Sequence, residues 1–181
     1  MSPHFNLPSA ILQQNKTPFY FYNTLLLEQT LQLIVQEASK YKYAVHYALK
    51  ANSNNKILDI INKHGLGADC VSGNEVKKAI EIGFGSSHVV FAGVGKSDDE
   101  INFALDQNIF CFNCESIQEI EVINQLAENK GKIAPIALRI NPNVDARTHH
   151  YITTGLEENK FGINRWELKS VMELINKLKA V

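Results

Sequence analysis

The sequence has few of the residues that mark special environments: of 181 residues, 3 are cysteine, 5 proline, 2 methionine and 1 tryptophan. An odd, small number of cysteines argues against a disulfide framework and fits a reducing compartment. Charge of one sign is also lacking. The 18 Lys+Arg and 19 Asp+Glu leave a net charge of −1 and a pI near 6.6, so there is no electrostatic case for nucleic acid or an anionic membrane. The longest apolar runs, such as residues 133–138, fall far below the roughly 20 residues that cross a bilayer. Polar Asn6 and the stretch 13–16 break up any basic-then-apolar leader. No Gly/Ser linker, charge block or low-complexity tract divides the chain. What is present is 45% hydrophobic residues, enough to bury a core as one folding unit. A cytoplasmic globular protein, or a piece of one, is expected.

Short apolar runs alternate with amphipathic stretches. Residues 25–40 put Leu27, Leu31, Ile34, Val35 and Ala38 on one helical face, with Asn23 as N-cap. Strands are expected at 43–49, 66–72, 89–94, 109–113 and 133–140. Helices are expected at 56–63, 75–82, 98–107, from Ser116 to about 129, and at 166–180. Repeated strand-then-helix units predict parallel strands with helical crossovers, hence an α/β fold. The first unit carries no G-x-G-x-x-G, which weakens a dinucleotide-binding reading. A (β/α)8 barrel needs eight units in about 250 residues. About five units are present, so an incomplete TIM barrel with an open edge is the expected architecture.

Functional residues of parallel α/β domains gather at strand exits. At the first exit, Lys50 ends an apolar run among small residues. It is either a lysine in a partly dry mouth, suited to Schiff-base chemistry, or one that only snorkels at a strand end. At the second, Asp69 lies inside an apolar strand and needs a partner, while Ser72 and Glu75 have capping-box spacing. At the third, Gly93-Val94-Gly95-Lys96-Ser97 lacks the first Walker glycine, Val90 standing in its place. Cys111 and Cys114 fall on opposite strand faces and cannot share a metal, so no metal site is expected. The fifth exit, from Arg139 through His149 and His150 to Lys160, is a connection of some twenty residues, long enough to suggest function. Arg139 there suits fork contacts to a carboxylate or phosphate.

Several of these segments together resemble the pyridoxal-phosphate decarboxylases with an alanine-racemase-like barrel, most closely those acting on diaminopimelate. They are Thr17-Pro18-Phe19-Tyr20-Phe21-Tyr22, Tyr47-Ala48-Leu49-Lys50-Ala51-Asn52-Ser53, Gly67-Ala68-Asp69-Cys70-Val71-Ser72-Gly73-Asn74-Glu75, Arg139-Ile140-Asn141-Pro142, and the T-H-x-Y-I-x-T-G stretch from Thr148 leading to Lys160-Phe161-Gly162. His150 departs from that pattern, where proline is usual. The resemblance implies pyridoxal 5'-phosphate as cofactor, Lys50 as the catalytic residue forming the internal aldimine, and Asp69, Arg139 and Lys160 as further cofactor-binding residues. It also implies decarboxylation of meso-2,6-diaminopimelate to L-lysine, with ornithine, arginine or carboxynorspermidine as substrates of sibling enzymes, and a homodimer at full length. A non-catalytic pyridoxal-phosphate carrier is the competing reading from another class. On the same basis residues 1–24 are a segment associated with a C-terminal β-domain absent from this sequence. Residues 25–181 are a partial cofactor-binding barrel, expected to be inactive alone.

Overall fold

Each long helix but the last starts where a short polar side chain can accept an amide that the first turn leaves free. Residues 9–142 and 161–181 are described by the computed structural model. The helices are α1 (Ser9–Gln14), α2 (Thr24–Ser39), α3 (Asn55–Lys63), α4 (Gly73–Ile82), α5 (Asp98–Gln107), α6 (Ile117–Asn129) and α7 (Leu168–Ile175). Asn23 and Asn54 accept from Leu26 and Lys56 at 3.1 and 3.0 Å. Ser72, Ser97 and Ser116 open α4, α5 and α6 by accepting from Glu75, Glu100 and Glu119 at 3.3, 3.4 and 3.2 Å. Gly83 ends α4 with φ +100°, a conformation glycine adopts without a steric penalty.

The strands β1 (His46–Ala48), β2 (Gly67–Cys70), β3 (Val89–Phe91), β4 (Cys111–Cys114) and β5 (Ile136–Leu138) form one parallel sheet in the order β1-β2-β3-β4-β5. This is the α/β half-barrel pattern expected from the repeated units. A separate parallel pair joins β6 (Ile140–Asn141) to β7 (Ile163–Asn164), with Ile140 opposite Ile163.

Register divides the sheet into two unlike faces. Cys70, Phe91 and Phe112 share one row, and all are fully buried with Ala68, Val89 and Cys114. That face carries the core against the helices, where Ile61, Val76, Ile101, Ile120 and Ile123 are equally buried. Truncating either phenylalanine to alanine would cost about 3–5 kcal/mol. The other face bears the row Ala48, Asp69, Val90 and Cys111, none of which except Val90 and Cys111 is buried.

Three expectations need correction. The strands are shorter than their apolar runs: residues 43–45 precede the ladder, and Leu49 belongs to a 3-10 turn (Leu49–Ala51). On α2, only Leu31 of the expected face is buried, and Ile34 and Val35 are each 38% exposed. The last helix stops at Ile175 rather than 180, because Ala180 is used elsewhere. Its N–H donates to Asn124 Oδ1 at 2.9 Å and its carbonyl accepts from Ala134 at 2.7 Å.

Candidate active site

All five strands point their C-terminal ends to one rim, and the chemistry-bearing residues collect there. Lys50 sits in the 3-10 turn that closes β1. Leu49, fully buried, pins that turn, and the Tyr47 hydroxyl donates to the Asn52 carbonyl at 3.3 Å just beyond it. The lysine itself is exposed. The partly dry mouth expected around it is not built by the described residues, because a sheet of five strands walls only one side.

Asp69 pairs in register with Ala48, two positions before Lys50 and in the neighbouring strand. Its Oδ1 is buried and has no hydrogen-bond partner among the described residues. Such an oxygen left alone costs about 1–3 kcal/mol, so this position favours a cationic group close by. The Asp69 charge already acts on His46, whose pKa is lowered by burial and only partly restored by that carboxylate.

Arg139 follows β5 at the opposite end of the sheet. Its Nη1 donates to Glu115 Oε2 at 2.9 Å, with the guanidinium carbon 5.7 Å from the centre of the Phe161 ring. Lys160, His149 and His150 lie outside the described residues.

At the third exit the Lys96 side chain is only 1% exposed. It donates to the Gly93 and Asn113 carbonyls at 2.7 and 3.0 Å and to Glu119 Oε1. Committed to the protein itself, it is unavailable to a phosphate. Cys114 packs in the core while Cys111 lies on the other face, and burial pushes the Cys114 thiol up to about 12. No cluster of three or more His, Cys, Asp or Glu suited to a metal occurs among the described residues.

Sequence reasoning read the capping-box spacing of Ser72 and Glu75 but missed Glu100 and Glu119, which likewise fill the rim's amides. Glu75 reaches Val71 N–H at 2.7 Å, one residue further back than a strict capping box. Glu100 accepts from Ser97 N–H at 3.0 Å and from Gly73 N–H, at the start of the preceding helix α4, at 2.6 Å. Glu119 accepts from Glu115 N–H at 2.7 Å. The recurring S-x-x-E spacing at residues 72–75, 97–100 and 116–119 is the signal that points to them. These helix starts, natural anion sites, are thus self-filled. A cavity of about 280 Å³ lined by Tyr43, His46, Leu66 and His88 opens at the other end of the strands, away from these groups. A smaller one of about 220 Å³ adjoins Glu115, Gly162 and Glu167 on the rim.

The rim thus carries an exposed lysine at the first strand exit, a buried carboxylate oxygen without a partner among the described residues in the next strand, and a half-exposed guanidinium at the far end of the sheet. The family model described as pyridoxal-dependent decarboxylase, pyridoxal binding domain, matches residues 27–181, and the chain belongs to that family. It is 55% identical over 167 residues to the diaminopimelate decarboxylase of Bacteroides thetaiotaomicron, covering 92% of this chain and 43% of that protein. The corresponding enzyme of Haemophilus influenzae is 44% identical, over 93% of this chain and 40% of its own length. Among solved structures, Helicobacter pylori diaminopimelate decarboxylase complexed with L-lysine superposes with TM-score 0.86 at 42% identity, covering 95% of this chain and 44% of that one. The chain therefore spans about two fifths of the curated relatives it matches. Pyridoxal is the cofactor of the family, and the residues at the rim fit it. Lys50 offers an exposed amine, Asp69 a buried carboxylate oxygen without a partner among the described residues, and Arg139 a half-exposed guanidinium.

Proposed function

We propose that this chain is the cofactor-binding barrel portion of a carboxy-lyase that converts meso-2,6-diaminopimelate to L-lysine and carbon dioxide. The observation that carries the proposal is the 55% identity to a diaminopimelate decarboxylase along 92% of the chain, which includes the Lys50 turn and the Asp69 strand. Pyridoxal phosphate, when bound, supplies an electron sink for the pair left on Cα as carbon dioxide departs. Lys50 would hold the cofactor through its side-chain amine, the aldehyde-reactive group at this rim. Asp69, one strand over, balances that amine's charge. Arg139 would bind an anionic group of the cofactor or substrate, a role that the family resemblance extends to Lys160. The Cα that loses carboxylate must gain a proton, and no described residue is assigned that task.

On this reading residues 25–181 form part of the barrel, and residues 1–24 belong with a β-domain. The working protein is a cytoplasmic homodimer. None of the helices among the described residues is long and apolar enough to cross a membrane.

The test uses the protein as its gene encodes it. Borohydride reduction in the presence of pyridoxal phosphate, followed by peptide mapping, is expected to fix the cofactor on Lys50 and to fix none in Lys50→Ala. In a separate, unreduced sample, lysine and carbon dioxide should form from meso-diaminopimelate faster than any product forms from ornithine or arginine. Labelling of another lysine, or a preference for ornithine, overturns the assignment.

A further inference from the structure

We propose that Glu115 is a positioning residue that orients Arg139 for an anionic oxygen of the bound cofactor or substrate. The proposal rests on the reading above that the rim holds pyridoxal and an amino acid.

The observation is an asymmetry of burial. The Glu115 side chain is 3% exposed, whereas that of Arg139 is 51% exposed. A carboxylate is not buried to steady a surface arginine unless the arginine's own placement matters, since exposed ion pairs contribute little. The contact uses one nitrogen only, Nη1 at 2.9 Å from Oε2. The guanidinium keeps further N–H donors in a fixed plane. One feature packs on that plane and two fix the backbone and stem that carry it. Phe161 lies against it at 5.7 Å. Ile163 N–H donates to the Arg139 carbonyl at 2.8 Å. Gly162, with φ +109°, comes so close that a Cβ there would sit 2.8 Å from the same carbonyl and 3.2 Å from Arg139 Cγ.

Glu115 is itself anchored. Its N–H donates to Glu119, which is tied to the buried Lys96. Fixed groups therefore run from the exit of β3 through β4 to Arg139 beside β5. Glu115 Oε1 is buried with no hydrogen-bond partner among the described residues, so the carboxylate has capacity for a second donor.

A residue acting through Arg139 has a distinct signature. In the gene-encoded protein, Glu115→Gln is expected to raise the pyridoxal-phosphate Kd, read from cofactor absorbance, or the KM for meso-diaminopimelate, by about tenfold. The first result assigns the oriented contact to the cofactor and the second to the substrate. In either case kcat should fall much less. Glu115→Asp, which keeps the charge, should restore part of the loss. In an Arg139→Lys background the same Glu115→Gln change should add almost nothing, as a double-mutant cycle reads directly. A lowered Tm with unchanged Kd and KM, or full additivity with Arg139→Lys, overturns the proposal. Borohydride labelling at Lys50 is independent of Glu115, so its loss in the wild type marks failure of the functional reading instead.

Discussion

Lys96 and Glu119, from two consecutive strand–helix units, form an ion pair almost free of solvent, with side chains 1% and 12% exposed. The pair is locked further by the Phe91 ring 5.3 Å from the ammonium. Two charges taken out of water hold their place only while each has the other. Lys96→Ala is therefore expected to destabilise the fold by about 3–5 kcal/mol, measured by urea denaturation. A double replacement by apolar residues of similar volume should recover much of that loss. If Lys96→Ala unfolds at the wild-type midpoint, the pair contributes no stability.

The Glu115–Arg139 pair predicts an unequal response. Removing the arginine strands a buried carboxylate, whereas neutralising the glutamate leaves a half-exposed cation that water can solvate. Arg139→Ala should consequently lower Tm more than Glu115→Gln does, and equal shifts would contradict the burial asymmetry.

Glu100 predicts an acid-dependent contribution. Its carboxyl is held below its ordinary value of 4.5, first by the Ser97 backbone N–H and also by that of Gly73. A depressed folded-state pKa means the stabilisation is complete above the unfolded value and disappears as pH falls through the folded one. The Tm difference between wild type and Glu100→Gln should be constant near neutrality and shrink below about pH 4.5. A gap that widens on acidification would refute the assignment.

The three thiols are all buried and free. Burial pushes Cys70 and Cys114 up to about 12 and raises Cys111 as well. Since the thiolate is the reactive form, iodoacetamide at pH 8 should label none of them in the folded protein and all of them in urea. Rapid labelling of Cys70 in buffer would show that the core face is open.

Helix starts were legible from the sequence because their cause is local: Ser97 and Ser116 cap amides three residues away. Strand ends were not. The apolar run at 43–49 continues past a ladder confined to His46–Ala48, since pairing is decided by a neighbouring strand and not by the run itself. The end of α7 was missed for a similar reason. The Asn124 amide that captures Ala180 lies 56 residues earlier. At the site, Lys50, Asp69 and Arg139 stood out as charges on or beside apolar strands, whereas Glu115 read as one more polar residue after a strand. Its meaning depends on Arg139, 24 residues on. Strand alternation through Cys111, Asn113 and Glu115, set against Ala137 and Arg139 in the next strand, carries that pairing in principle.

The pairing of β6 with β7 puts Asn141 beside Asn164, joined by a side-chain hydrogen bond of 3.1 Å. Two positions 23 residues apart in the chain are thereby fastened to each other by side chains as well as by backbone. The fastening is mutual, so losing either amide should loosen this small ribbon and leave the five-stranded sheet in place.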